Sequence, residues 1–220
     1  MKKITCVEPH NDDIFLSAVS VLLHFPGTIE AFTLCEGDFT SMQNYEIGKA
    51  EFDVYVQKLN SYRREKGFGP YLVKHYNGYG DCTYDGIRKD VKTKIFSVLE
   101  PCFNDPVEFF LYPSESINPS HTLTKTISEG IMRAPYIFNI RTALKYYSAQ
   151  EELFSISNMK KQVFKAIAEE DMNFIKELYD CFPVKLQHFP FANWVNTLRA
   201  TGDKIGAPYA QAYEAERIVL

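Results

Sequence analysis

The sequence has few features of exported or membrane proteins. Its five cysteines are an odd number without a Cys-x-x-Cys pair, which argues against a disulfide framework and a thiolate zinc site. The longest mainly apolar stretch, Ile14 to Phe25, is too short to cross a bilayer. No secretory apolar segment follows the basic start Met1-Lys2-Lys3. We therefore expect a cytoplasmic protein without a membrane span.

Excess positive charge and glycine-rich phosphate loops are also missing. A formal net charge of -4 gives no general attraction to nucleic acid or anionic lipid. Neither Gly-x-Gly-x-x-Gly nor a P-loop occurs at the strand–helix turns that we predict. We therefore expect no nucleic-acid partner and disfavour a nucleotide-binding domain, while a homo-oligomer is left open.

Short β-branched or aromatic runs alternate with longer helical patterns along the first 135 residues. This alternation predicts an α/β fold with a doubly wound, mostly parallel sheet sandwiched by helices. Strands are predicted at Lys3 to Val7, Ile29 to Leu34, Tyr71 to His75 and Val107 to Tyr112. Helices are predicted at about Asp13 to Phe25, Tyr45 to Lys58, Tyr84 to Leu99 and His121 to Met132.

The pattern changes after Pro135, although no linker separates two domains. We predict one domain over residues 1–220, with a core at about 1–135 and a C-terminal part at about 136–220 that shapes the substrate pocket. In that part we expect a strand near Ala143 to Ser148 and a helix capped by Ser157 or Asn158. The apolar face of that helix would use Val163, Ile167, Phe174, Ile175 and Leu178.

Ionisable residues crowd the turn Glu8-Pro9-His10-Asn11-Asp12-Asp13, between a predicted strand and an apolar helix. An aspartate there could cap the helix, which accounts for one of the acids but not for all of them. An imidazole and a carboxylate are also ligands of catalytic zinc, and a second carboxylate could take a proton from water. A metal site and a capped turn therefore both stay open.

A third ligand could come from His121, in a segment that follows the most strand-like run of the chain. The carboxyl ends of neighbouring parallel strands lie together, so this segment would meet the first turn. Taken alone, His121 is more readily interpreted as a surface histidine that caps a helix starting at Thr122, and the pairing with the first segment shifts this interpretation towards a metal ligand.

Two segments resemble the motifs of the PIG-L/LmbE deacetylases. Pro9-His10-Asn11-Asp12-Asp13 is similar to the PHPDD signature, and Asn118-Pro119-Ser120-His121 is similar to the later HPDH. Weaker similarity covers Thr33-Leu34-Cys35-Glu36-Gly37 and the closing segment Gly206 to Tyr213. The resemblance implies a metal-dependent N-deacetylase with His10, Asp13 and His121 as ligands of Zn²⁺, or of Fe²⁺ or another divalent ion. It also implies Asp12 as the general base.

The chain departs from the family motifs at three places. Asn11 replaces a proline that is not a ligand. Asn118 replaces a histidine, and its amide can donate a hydrogen bond to an oxyanion but cannot shuttle a proton near neutral pH. The family's substrate-holding arginine–glutamate helix has no clear match, because Arg63, Arg64 and Glu65 have a different spacing.

The resemblance implies a small-molecule substrate, an N-acetylated amino sugar or sugar conjugate. Arg64 and Arg199 are candidate substrate-binding residues. Aromatic side chains at Tyr76, Tyr79, Tyr146 and Tyr147 could stack on a sugar, although core packing explains most such residues more simply. Two alternatives stand beside this one. Activated water could attack another ester or amide, and a catalytically impaired member could act as a binding protein.

Overall fold

A computed structural model describes residues 2–34, 42–75, 95–133, 135–147 and 163–218. Its strands are β1 Lys3–Glu8, β2 Thr28–Thr33, β3 Tyr71–His75, β4 Val107–Pro113, β5 Ile140–Tyr146, β6 Val163–Ile167 and β7 Tyr209–Ile218. Its helices with described bounds are α1 Asp13–His24, α2 Met42–Glu65, α3 Pro119–Ile131, α4 Asp171–Tyr179 and α5 Phe191–Asp203. Short 3-10 helices cover Glu100–Phe103 and Tyr136–Asn139.

The strands form one seven-stranded sheet with the order β3-β2-β1-β4-β5-β7-β6. Strands β1 to β5 pair with one another in parallel, whereas β7 lies between β5 and β6 and pairs antiparallel with both. The connections diverge from β1 in opposite directions, so the junction of β1 and β4 is the topological switch point where such sheets bind ligands. The predicted doubly wound, mostly parallel α/β fold is confirmed.

Apolar side chains cover both faces of the central strands, as a parallel sheet between helix layers requires. On one face, α1 and α2 pack with the aromatic residues Tyr55, Phe182 and Trp194 in a single core. On the other face, Phe110 and Tyr112 of β4 pack against apolar residues of α3. The sheet continues through β5, β7 and β6, beyond the boundary predicted near residue 135.

Helix α1 has a kink at Ala18, where φ is -141° and ψ is 24°. The buried side chain of Gln211, from β7, fits into this break. Its Oε1 accepts from the Ser20 backbone N–H at 3.0 Å, and its Nε2 donates to the Leu16 carbonyl at 3.0 Å. A regular helix would join that N–H to that carbonyl directly, so the inserted amide accounts for the kink.

One predicted helix is wrong at its start, because Val163–Ile167 is the strand β6 and the helix α4 begins only at Asp171. Apolar residues at positions 163 and 167 fit a helical period, but this segment pairs along β7. Helix α2 begins earlier and ends later than predicted, at Met42–Glu65. Only residues 95–99 of the predicted helix Tyr84 to Leu99 are described, and they are helical.

Several other predictions lie outside the described residues: those on Cys35, Glu36, Gly37, Tyr76, Tyr79, Cys82, Ser157 and Asn158. Within the described residues, Cys6, Cys102 and Cys181 are free and buried, as expected of small apolar side chains. No helix in the described ranges combines the length and the apolar character that crossing a bilayer demands.

Candidate metal centre

Two strand–helix turns meet at the switch point of the sheet. Strands β1 and β4 pair in parallel, with Cys6 beside Leu111, so their carboxyl ends lie next to each other. The chain enters α1 immediately after the first turn and α3 after the second. This topology brings His10 and Asp13, from one turn, to His121 in the first helical turn of α3.

His10, Asp13 and His121 form a compact cluster. Nδ1 of His10 lies 3.2 Å from Oδ2 of Asp13, and Nε2 of His121 lies 3.4 Å from Oδ1. The two imidazole rings are 5.5 Å apart between centroids. One ligand atom from each residue can be chosen so that all lie within 4.8 Å of one another. The structure therefore joins the residues that the two motifs kept far apart in sequence.

The side chains of Asp13 and His10 are shifted in pKa by their neighbours in the cluster. Burial acts to raise the pKa of Asp13, but the His121 and His10 side chains outweigh it and hold that pKa well below its usual range. Burial acts to lower the pKa of His10, and its hydrogen bond and charge interaction with Asp13 raise it above the ordinary value. Asp13 is thus a buried carboxylate with an imidazole at each oxygen.

This cluster fits a divalent metal ion by its donors and its dimensions. Two imidazoles and one carboxylate are a common ligand set for catalytic zinc. Donor atoms around tetrahedral zinc lie about 3.4 Å apart for bonds of about 2.1 Å, and each imidazole lies at about this distance from one of the two Asp13 oxygens. Nδ1 of His121 is buried and has no hydrogen-bond partner among the described residues. His10, Asp13 and His121 could therefore hold the ion, and their chemistry also suits Fe²⁺.

The side chain of Glu8, and not that of an aspartate in the turn, accepts the hydrogen bond from a backbone N–H at the start of α1. Its Oε2 accepts from the Ile14 backbone N–H at 3.0 Å, and its Oε1 accepts from the Thr33 hydroxyl at 2.8 Å. The side chain is fully buried, and burial raises its pKa to about 8 against the lowering effect of the Ile14 hydrogen bond. Asp12 occupies the N-cap position but makes no capping hydrogen bond with its side chain. The Asp12 carboxylate is therefore available for another role.

Lys185 is a residue of the site that we did not predict from the sequence. Its Nζ lies 2.9 Å from Oδ1 of Asp12 and also donates to Oδ1 of Asn11. The lysine lies in the segment between α4 and α5, more than 170 positions from the first motif. No local pattern marks it, because a single lysine in a connecting segment usually faces solvent.

Asn118 lies at the N-cap of α3 with an extended backbone conformation. Its Oδ1 accepts from the Ser120 N–H at 2.9 Å, which is the usual capping bond of an asparagine. The carbonyl oxygen is thus used by the helix, and the Nδ2 amide is the group that can donate to a ligand.

The hydrogen bonds described for the two candidate substrate-binding arginines are with residues outside the cluster. Arg64 is exposed at the end of α2, where its guanidinium donates to Ser61 Oγ at 3.4 Å. That end precedes β3 and so lies at the amino edge of the parallel sheet, opposite the cluster. Arg199 is exposed on α5 and donates to the Tyr209 hydroxyl at 3.3 Å. Substrate binding by either arginine stays a prediction.

The described residues thus form an α/β sandwich with a His-Asp-His cluster at its switch point, and this cluster could hold a metal ion. No family model and no curated protein matches the sequence. Solved structures do match the fold, at low sequence identity.

Deacetylases are among these structures. The N,N'-diacetylchitobiose deacetylase of Pyrococcus horikoshii has a TM-score of 0.63 at 14% identity, covering 97% of this chain and 83% of that chain. A deacetylase from teicoplanin biosynthesis, solved with teicoplanin, has a TM-score of 0.65 at 11% identity, covering 98% of this chain and 100% of that chain. The fold is thus the one that the PIG-L/LmbE resemblance implied.

A third structure with this fold has a different activity. The 4-carboxy-2-hydroxymuconate hydratase of Pseudomonas putida has a TM-score of 0.71 at 13% identity, covering 100% of this chain and 98% of that chain. Deacetylases and a hydratase therefore share this fold, so the fold alone does not identify the activity, which has to be argued from the site.

Proposed function

We propose that the protein is a metal-dependent hydrolase that removes an acyl group, in the first instance acetyl, from the amide nitrogen of an N-acetylated amino sugar or sugar conjugate. The observation that carries this proposal is the meeting of His10, Asp13 and His121 beside Asp12 at the switch point. The first three are the ligands, and Asp12 is the general base.

A divalent ion held by these ligands would polarise the amide carbonyl and lower the pKa of a neighbouring water towards about 7. Zinc is the first choice because of the ligand set. Ferrous iron is tested beside it, because one structure of teicoplanin deacetylase is described as a zinc-inhibited form.

Asp12 takes the proton from the attacking water. Its carboxylate is adjacent in sequence to the ligand Asp13 and is not used to cap α1. As the water oxygen forms its bond to the carbonyl carbon, the proton moves to Asp12. When the carbon–nitrogen bond breaks, Asp12 returns the proton to the departing nitrogen, which leaves as an amine beside a carboxylate product.

Asn118 takes part as a hydrogen-bond donor and not as an acid. Its Oδ1 caps α3, which orients the amide and leaves Nδ2 to donate to the developing oxyanion. A histidine at this position could exchange a proton near neutral pH, whereas an amide cannot. Asp12 must therefore carry the proton in both halves of the reaction.

The deacetylase neighbours support an amide substrate attached to a sugar or glycopeptide. A second candidate is a hydratase, because a hydratase shares the fold over the whole chain. A hydratase adds water across a carbon–carbon double bond and releases no acid. The two functions are therefore separated by their products.

The test measures released acetate and free amine from N-acetylglucosamine and N,N'-diacetylchitobiose, using protein loaded separately with zinc and with ferrous iron. We expect turnover in the wild type. We expect Asp12→Asn to lower kcat by about 10²- to 10⁴-fold without loss of metal. Elemental analysis of the same samples provides the metal content.

The matched control is Asp180→Asn. Asp180 is an exposed aspartate at the C-cap of α4, where it pairs with Lys176. This variant should keep wild-type turnover. Near-full turnover of Asp12→Asn would remove Asp12 from the role of base. If the protein hydrated an unsaturated acid and released no acetate, the proposed deacetylase activity would be wrong and the hydratase would be the better supported function.

A further inference from the structure

We propose that Lys185 is a positioning residue that holds the Asp12 carboxylate in the orientation used for proton transfer. This inference rests on the proposed function, in which Asp12 is the general base. It adds a residue from the C-terminal part of the chain to a site that both sequence motifs place in the N-terminal part.

The contact is partly buried and joins two consecutive residues of the first motif. Nζ of Lys185 lies 2.9 Å from Oδ1 of Asp12, and the side chains of the pair are 18% and 14% exposed. The same ammonium donates to Oδ1 of Asn11, which is 8% exposed. An ammonium has three donors and no acceptor, so it can bind both oxygens at once. Screening by water is reduced at this depth.

The segment that carries Lys185 is anchored independently of this contact. Glu51 of α2 is buried, and its two oxygens accept from the backbone N–H groups of Val184 at 2.8 Å and of Lys185 at 3.1 Å. Phe182, three positions earlier, is fully buried and lies 5.2 Å from the Tyr55 ring. The backbone of Lys185 is therefore fixed to α2, and its side chain reaches the motif from a rigid base.

Asp12 needs such a partner because the helix does not hold it. Its side chain makes no capping bond. In the ranges that the structure describes, its carboxylate has no other hydrogen-bond or ion-pair partner than Lys185. The ammonium contacts Oδ1 and leaves Oδ2 as the acceptor for a proton. A misplacement of about 1 Å at a reacting group can lower a rate by about 10²-fold, so this restraint bears directly on turnover.

The test is a double-mutant cycle in which Lys185→Met removes the ammonium and keeps the apolar stem of the side chain. We expect Lys185→Met to lower kcat by about 10- to 100-fold with KM within about threefold of wild type. Metal content by elemental analysis should be unchanged. Lys185→Arg, which restores a cation, should recover part of kcat.

In the Asp12→Asn background, Lys185→Met should have little further effect on kcat, because a residue that acts through Asp12 loses its role with that carboxylate. A readout independent of turnover comes from urea unfolding of the same four proteins. The shifts in the urea midpoint should be less than additive, because either single variant breaks the same ion pair. The control is Lys58→Met, which breaks an exposed pair between Lys58 and Glu177 and should leave kcat unchanged.

Each result has a defined reading. Wild-type kcat in Lys185→Met, or kcat effects that add fully in the cycle, would overturn the positioning role and leave the deacetylase intact. Additive urea shifts would show that the ion pair does not form, which also overturns it. If the wild type releases no acetate with either metal, the proposed function fails and the catalytic role of Lys185 fails with it. The urea cycle then reports on the ion pair alone.

Discussion

Ionisable side chains are buried at both edges of the sheet, and the partners of these side chains differ between the two edges. At the amino edge, Arg63 is fully buried, and the hydrogen bonds that the structure describes for its guanidinium all go to backbone oxygens. These acceptors are the carbonyls of Leu22, Phe25, Gly27 and Gly69. At the carboxyl edge, the buried groups are side chains that face one another, namely His10, Asp13 and His121.

This difference distinguishes a buried charged residue that stabilises the fold from buried ionisable residues that can bind a ligand. The Arg63 guanidinium uses four of its five N–H donors on backbone carbonyls, so it joins the end of α1 to the loop before β3. The carboxyl-edge cluster offers three ligand atoms to one point, and His121 Nδ1 has no partner among the described residues. Burial alone would not distinguish Arg63 from the carboxyl-edge cluster. The distinction comes from their partners, which are backbone carbonyls for Arg63 and other ionisable side chains for the cluster.

The largest expected effect comes from removing a ligand at the carboxyl edge. In His121→Ala, we expect the metal content to fall from about one equivalent per chain to near zero, since a three-ligand site loses a ligand. Turnover should fall by about 10³-fold or more, because polarisation of the carbonyl by the ion is worth several kcal/mol. Elemental analysis and an acetate assay on the same preparation measure both quantities.

The matched control for this variant is His24→Ala. His24 lies at the end of α1 and pairs with Asp171 at 2.8 Å, away from the cluster. This variant should keep its metal. Retention of metal by His121→Ala, or equal loss in both variants, would show that the two motifs do not form one site.

The second effect belongs to the amino edge and should have the opposite signature. Arg63→Met leaves several buried carbonyls without a donor, so we expect the free energy of unfolding to fall by about 3–5 kcal/mol. The folded fraction should still bind metal, because the change lies at the other edge of the sheet. Urea unfolding gives the free energy, and elemental analysis of refolded protein gives the metal content.

Arg64→Met is the control for Arg63→Met, because the next residue carries the same side chain in an exposed position. It should change the free energy of unfolding by no more than about 0.5 kcal/mol. Equal destabilisation by the two variants would contradict the structural role of Arg63. A strong rise of KM in Arg64→Met would instead place Arg64 in substrate binding.

The fold was predicted from the alternation of strands and helices, and the ligand cluster from the resemblance of two motifs to those of the PIG-L/LmbE deacetylases. Parallel topology places the turns after β1 and β4 at the same edge of the sheet, which is compatible with that ligand set. The cap of α1 was not predicted, because Glu8 folds back from the strand while Asp12 occupies the position where a cap is expected.

Contacts between distant parts of the chain could not be predicted from one sequence. The spacing of Val163 and Ile167 indicated a helix, and pairing with β7 made the segment a strand. Lys185 reaches Asp12 from a segment whose backbone N–H groups donate to Glu51 of α2. Such contacts leave no local period or spacing, so they became visible only with the three-dimensional arrangement.

The smallest effect concerns the connection between the two parts of the chain. Gln211→Leu keeps the volume of the side chain and removes the amide that replaces one hydrogen bond of α1. The Ser20 N–H and the Leu16 carbonyl then have to re-form their own bond or lose a partner, although Trp194 Nε1 still donates to that carbonyl at 3.0 Å. We expect the free energy of unfolding to fall by about 1–3 kcal/mol.

Urea unfolding measures this loss, and hydrogen exchange at the Ser20 amide localises it to the kink. Gln187→Leu is the control, because Gln187 is an exposed glutamine in the segment between α4 and α5. If Gln211→Leu were as stable as wild type, with a protected Ser20 amide, α1 would straighten without cost. The kink would then be a consequence of packing against β7 and not of the inserted amide. A loss confined to Gln211→Leu would instead show that the last strand determines the path of the helix whose first turn carries Asp13.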